Sequence, residues 1–419
     1  MNKKIIHLLI AMILFTFSFA LAGVFELYGI GKVGLNYSVA STGRGKASTA
    51  YSDSLTANLQ NPANLAYIRK AGMEMSMNSN HNHISGTGNT NNYTGFSYGL
   101  LKFPVAGKGA FSLGITPLTT ANASYQIVDE AQQYSESTYL QGNIYSSSLN
   151  FAYSFFKKGQ LALGLGAEFL IGGYMIMKNI DFENVTLADV SIEKNESFTG
   201  SQFSGGISIT PIPQLTLGAA YTYVNHSSRR EITHYMSEAA SRFYSYLDSA
   251  AYSDSDVFPA QLRAGLALTL APRYILTVDW MQYRFTDIAA DFSFNPFYEG
   301  AQIRSFNHYG LGFEKQGTLS EYLPYYRSLT YRGGIFYEQH YMADSQGLPV
   351  RTLGLTLGLG LPFTEYRNRI DAAFVCEYNT GTIFEADGID AIRVNEFVYH
   401  FTLSITIAET WFHTQGKYR

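Results

Sequence analysis

Nine charged side chains stand at alternate positions in stretches that are otherwise apolar or small: Glu74, Glu168, Arg263, Asp279, Glu314, Arg332, Glu338, Asp371 and Glu377. An arginine held away from water grips a carboxylate through paired N–H···O contacts, so Arg263 and Arg332 are candidates for binding an anionic group. The competing reading is a charge network in which the arginines pair with acids such as Glu168, Asp279 and Glu338. Acids outnumber arginines in the set, which favours the network. His81 and His83, one residue apart, could share a metal, but no acid or third histidine follows at ligand spacing. Serines, aspartates and other histidines (His226 among them) are scattered, and no nucleophile elbow is expected. A single cysteine, Cys376, excludes an intramolecular disulfide. No catalytic, metal or cofactor site is expected.

The elements that must position these charges are strands. In Arg351 to Leu361 every odd position from Leu353 is leucine and every even one threonine or glycine. A strand points successive side chains to opposite faces, so this stretch has one apolar and one small, polar face. Similar alternation marks thirteen further segments: 73–78, 96–100, 111–115, 145–155, 161–171, 203–209, 215–223, 262–270, 274–280, 309–313, 331–337, 370–378 and 397–407. The polar parity carries glycine, serine, threonine and isolated charges, unlike the solvent face of a β-sandwich. The charges would then face an interior. One helix is expected, from Glu238 to Ala251, where Ala239, Phe243, Tyr246 and Leu247 are near helical spacing.

Composition gives the address. Lys3 and Lys4, the apolar run Ile5 to Leu21 and the small site Ala20-Leu21-Ala22 read as a signal peptide over 1–22. The net charge of −4 falls to −6 without its two lysines, which argues against a nucleic-acid partner. No later stretch reaches the ~18 apolar residues of a membrane helix. Barrel strands need only about 9–11 residues, half of them apolar, which suits a mean hydropathy of −0.06. With 32 tyrosines and 29 phenylalanines, the chain has material for the aromatic girdles of a barrel. The connections alternate between mostly short ones (104–108, 157–159, 211–213, 271–273, 315–327, 362–368) and mostly long polar ones (81–93, 118–141, 173–197, 226–257, 286–302, 339–348, 379–392). Short turns face the periplasm and long loops the outside in outer-membrane barrels. That parity puts both ends in the periplasm.

Residues 23–70 lack sustained alternation. Gly43-Arg44-Gly45-Lys46-Ala47-Ser48-Thr49-Ala50, then Asp53, then Asn61-Pro62-Ala63-Asn64-Leu65-Ala66, resemble the start of the FadL-type outer-membrane transporters, the long-chain fatty-acid and aromatic-hydrocarbon channels. The resemblance covers roughly forty residues. It implies that the segment folds as a hatch holding Asn61, Pro62 and Ala63 inside a fourteen-stranded barrel, and that hydrophobic substrates leave sideways through the wall. The end, Glu409-Thr410-Trp411-Phe412 and a basic tail, departs from the family's aromatic-terminated last strand.

The expectation is an all-β protein: a 14-stranded antiparallel transmembrane β-barrel over 71–412, an N-terminal hatch over 23–70 and a periplasmic tail over 413–419. As a monomer in the outer membrane it would contact membrane lipid and take up hydrophobic molecules such as fatty acids or hydrocarbons. A FadL-like barrel serving as a partner-binding scaffold of a secretion system, or a general porin, are the alternatives.

Overall fold

The computed structural model describes residues 31–409, apart from 35–36, 85–89, 106–107, 130–132, 157–159, 185–186, 240–241, 253–257, 288–301, 321, 344–347, 364–367 and 385–390. The expected signal peptide, Phe412 and the tail 413–419 lie outside the described residues.

Fourteen antiparallel strands form the wall. They are β1 Ala71–Ile84, β2 Thr90–Val105, β3 Gly109–Asp129, β4 Tyr134–Phe155 and β5 Leu161–Phe182. β6 Asp189–Ile212, β7 Leu215–Ala239, β8 Gln261–Ala271, β9 Tyr274–Tyr283 and β10 Phe306–Lys315 follow. β11 Thr330–Ala343, β12 Pro349–Phe363, β13 Asn368–Phe384 and β14 Ala391–Glu409 complete it. Sequence neighbours pair throughout, and β14 returns to β1 from Glu409↔Ala71 to Glu396↔Ile84. Closure pairs the first strand with the last, as backbone N–H and C=O groups in a bilayer demand, and leaves one interruption, between β2 and β3. All fourteen alternating segments fall in fourteen different strands.

The faces follow the parity. Leu353, Leu355 and Leu357 are 58%, 56% and 58% exposed, while Thr352 and Thr356 on the opposite parity are fully buried. Exposed apolar side chains cover the outside of nearly every strand, which a bilayer, not water, accommodates. Tyr274, Phe313, Tyr331, Phe111 and Tyr153 point outward near the short turns. A second outward row, Trp280, Tyr309 and Tyr337, lies four to six residues from Tyr274, Phe313 and Tyr331, about 10–15 Å along the wall, and Tyr399 and Phe96 also point outward.

The structure corrects the sequence reading in two places. Residues 118–141, 173–197 and 226–257 are not mainly loops. β3 to β7 run for 21, 22, 22, 24 and 25 residues, against 11, 10 and 10 for β8 to β10. With about 3.3 Å per residue and a tilt near 40°, the long strands stand roughly 30 Å above the short ones. Among the described residues the mouth therefore has a collar on the side of β3 to β7 that β8 to β10 lack. Second, the expected helix is a strand, Arg242–Tyr252, pairing antiparallel with β7 from Ala239↔Arg242 to Arg229↔Tyr252. Tyr235 lies against Tyr246, with ring centroids 6.1 Å apart and the rings tilted by 32°, a cross-strand aromatic pair of the kind that stabilises sheets.

Inside, two apolar regions sandwich a polar layer. Ala57, Ala63, Leu65, Ala66 and Ile68 of the hatch pack on Leu100, Ala110, Ala152 and Ala162 of the wall. Toward the mouth, Leu118, Leu140, Tyr174, Phe198, Phe258, Phe306 and Tyr341 form a second, larger cluster. Phe285, in a short 3-10 turn after β9, stacks on Tyr341 at 4.2 Å.

Candidate functional site: a fastened hatch beside a break in the wall

The hatch is built from short local motifs. A four-residue helix, Val39–Thr42, is capped by Ser38, whose hydroxyl accepts the Ser41 N–H at 3.2 Å. The chain then turns at Gly45 and Lys46, both at positive φ (62° and 57°). Asn61 caps a 3-10 turn over Pro62–Tyr67, accepting the Ala63 N–H at 3.0 Å. Pro62 opens the turn, where a missing N–H costs nothing. The Asn61 amide donates to Thr49 O at 2.9 Å within the hatch and to Ile207 O of β6 at 3.0 Å. Asn61, Pro62 and Ala63 are all buried, and the triplet joins hatch to wall through one side chain.

Wall glycines make room for this backbone. A Cβ on Gly164 would lie 2.3 Å from Pro62 and Ala63 backbone atoms, and one on Gly312 would lie 2.1 Å from Arg44 O. Gly206 and Gly334 face Asn61 and Gly45 as closely.

Charge then fastens the hatch. Arg44 reaches Glu314 at 2.5 Å, and Lys46 bridges Glu338 and Glu377 at 3.0 and 3.1 Å. Lys32 meets Glu377 at 2.6 Å. Asp279 accepts the backbone N–H groups of Ser48 and Thr49, each at 2.6 Å. From the wall, Arg369 reaches hatch Asp53 and wall Asp371, both at 2.8 Å. Burial works against the charged form of Asp53, but Arg369 and the Leu55 N–H outweigh it and hold the carboxyl below its usual range. Arg332 is committed to Glu314 at 2.8 Å and Asp371 at 2.7 Å. The Lys102 ammonium meets Glu74 and the carbonyl of Leu55.

Glu74, Arg263, Asp279, Glu314, Arg332, Glu338, Asp371 and Glu377 are all buried, and Glu168 is half-buried. Arg332, Glu338 and Asp279 meet within the hatch network. Arg263 and Glu168 lie apart, around a polar cavity of about 50 Å³ shared with Gln202, Gln261, Tyr283 and hatch Gln60. Glu168 accepts from Ser146 and Gln202, both at 2.6 Å. Sequence reasoning missed Lys32, Arg44 and Lys46, the cations that the hatch itself supplies. The signal was present in Gly43-Arg44-Gly45-Lys46: two cations in a run too rich in glycine to form a regular element. Among the described residues no group of histidine, cysteine and acids could hold a metal. Gly95-Phe96-Ser97-Tyr98-Gly99 has the spacing of a nucleophile elbow, but it lies inside β2 and lacks the strand-to-helix turn that such an elbow needs.

Beside the hatch the wall is interrupted. The β2–β3 ladder runs from Val105↔Gly109 only to Gly99↔Ile115 among the described residues, although both strands continue. Each strand carries an irregularity at the break, between Ser76 and Met77 in the β1–β2 register and between Pro117 and Thr119 in the β3–β4 register. Pro117 has no N–H to give a ladder. The β3 edge is taken instead by the hatch: Lys32 pairs with Thr120 and Val33 with Thr119, and the Gly34 N–H donates to Leu118 O at 2.6 Å. A cavity of about 180 Å³ opens at the break, lined by Lys32, Tyr37, Ser97, Tyr98, Pro117 and His400 among others.

The fold is shared with solved barrels. A FadL homologue of Pseudomonas aeruginosa superposes with a TM-score of 0.65 at 15% identity, covering 91% of this chain and 99% of that one. The toluene transporter TodX of P. putida gives 0.63 at 13%, covering 90% and 100%. No curated protein matches the chain. The family model described as BamG matches residues 1–418. The chain belongs to the BamG family.

Proposed function

We propose that this barrel passes hydrophobic molecules across an outer membrane, with the break between β2 and β3 as a side door and the hatch strand Lys32–Val33 as its bolt. The observation that carries the reading is the β3 edge, paired with the hatch where β2 should be. An apolar solute gains about 25 cal/mol for each Å² removed from water. The apolar cluster at the mouth and the bilayer beyond the break both offer that gain, and the break joins them without a water-filled pore. The likeness to a FadL homologue and a toluene transporter supports this reading at the level of fold. Fatty acids and small hydrocarbons are the substrate classes to test.

Val33 and Thr119 are register partners, at a separation that a disulfide spans. In a Cys376→Ser background, Val33→Cys with Thr119→Cys should cut uptake of labelled oleate or toluene into proteoliposomes about tenfold when oxidised, with recovery on reduction. Uptake unaffected by the crosslink would remove the side door.

A second reading, a partner-binding barrel, is favoured by cavity size. The cavities between hatch and wall among the described residues, about 50, 180 and 160 Å³, fall below the ~300 Å³ at which ligand pockets usually begin. The collar adds a surface: Tyr244, Tyr246 and Leu247 are 59%, 64% and 63% exposed. A partner recovered from native membranes at fixed stoichiometry, and lost when these three become serine, would establish it.

A further inference from the structure

We propose that the outward face of β8 to β12 binds a phosphorylated, acyl-bearing lipid of the outer leaflet, its chains in a groove of the wall and its phosphate on Arg351 and its neighbours. This stands apart from the transport reading and rests on the wall lying in a membrane. The groove is a shallow, open depression of about 670 Å³, almost wholly apolar, with Val278, Leu311 and Ile335 below the rings of Trp280, Tyr309 and Tyr337. Its length suits acyl chains lying along the wall, with one side left to the surrounding lipid. The depression exists because Ala264 stands beside Trp280 in the register with no side chain beyond Cβ to fill it.

The outer end of the groove changes character abruptly. Leu353 lies in its lining, and Arg351, two residues further along the same face, is exposed. Its cross-strand partner is Gln339, whose amide donates to the Tyr337 hydroxyl at 3.3 Å. Gln282, two residues beyond Trp280, donates to Asn307 at 3.2 Å. Two more cations complete the row. Arg284 is 53% exposed and meets Asp287 at 2.8 Å, and Arg304 is exposed. Arg284 comes ten residues after Tyr274, Arg304 eleven before Lys315 and Arg351 twelve before Phe363. Each is one membrane span from its short turn, at headgroup depth. Apolar floor, aromatic belt, amide row and arginines follow one another as acyl chain, glycerol or sugar, and phosphate do in a lipid. Arginine's fork suits phosphate oxygens.

The test uses the full-length barrel in mild non-ionic detergent and native mass spectrometry. The probes are bisphosphorylated lipid A, its dephosphorylated form and inorganic phosphate. The phosphorylated lipid should stay bound, the dephosphorylated one should bind roughly tenfold more weakly, the weight of one charge-assisted contact, and inorganic phosphate should not displace the lipid. Arg351→Glu and Ala264→Phe, one acting on the head and one on the groove, should each weaken retention about tenfold in barrels that still migrate as folded on unheated gels. Equal binding of the dephosphorylated lipid, displacement by phosphate alone, or retention indifferent to both substitutions would overturn the assignment.

Discussion

At the scale of single residues, the lumen charges obey one constraint. A carboxylate removed from water needs a counter-charge, and removing one partner of a buried pair costs about 3–5 kcal/mol. Here the wall supplies most of the acids and the hatch many of the cations, so neither half is electrostatically satisfied alone. Arg369 shows the consequence, because it ties wall to hatch through Asp53. Arg369→Met should lower stability by about 3–5 kcal/mol at neutral pH, read from the guanidinium unfolding midpoint. The pH dependence has a defined sign. The Asp53 carboxyl is depressed by Arg369, so its contribution is complete above the ordinary aspartate pKa near 3.9. It fades only as pH falls through the lower, folded-state value. In the variant burial acts on Asp53 without Arg369 and raises its carboxyl, so the gap between wild type and variant should be widest near pH 7 and shrink as the pH falls; a gap that widens on acidification would contradict the tether. The acids were legible in the sequence, because alternation assigns an inward face. Their partners were legible only as cations in a glycine-rich run, Arg44 and Lys46; which acid each meets was not, since the segment has no periodicity to place it.

At the scale of elements, alternation located all fourteen strands but underestimated five of them. The pattern exists where one face meets lipid and the other the lumen. Above the membrane that contrast disappears, while backbone pairing continues: Gly173 to Ile180 still pair with Ser197 to Val190. The same loss of contrast makes 238–251 look helical by spacing, although its tyrosines pair across a hairpin. The glycines between the wall leucines were legible as small, but which of them the hatch touches was not. Gly164 and Gly205 separate the two cases. A Cβ at Gly164 would collide with the Pro62–Ala63 backbone, whereas one at Gly205 meets nothing within 4 Å. Gly164→Val should lift the hatch turn off β5 and give a steady current in planar bilayers, where wild type and Gly205→Val give none. Equal currents from the two variants would mean that Gly164 does not seat the hatch.

At the scale of the whole molecule, the collar and the turns must lie on opposite sides of the membrane. Even strand number puts both ends of the wall, Ala71 and Glu409, at one rim; they are register partners. The β8–β9 turn, between Ala271 and Tyr274, opens at that same rim, and Arg273 holds it with a positive φ of 77°. The hairpin return Arg242–Tyr252 sits at the far end of the long strands. Short turns toward the periplasm and long projections outward, as in outer-membrane barrels, give the orientation we propose. Tyr246, 64% exposed, should face the medium, and Arg273 the periplasm. With Cys376 replaced by serine, Tyr246→Cys should react with a membrane-impermeant maleimide on intact cells, while Arg273→Cys should react only after the envelope is opened. The reverse pattern would invert the barrel. It would also put Arg284, Arg304 and Arg351 in the inner leaflet, where a lipid with outer-leaflet chemistry could not reach them.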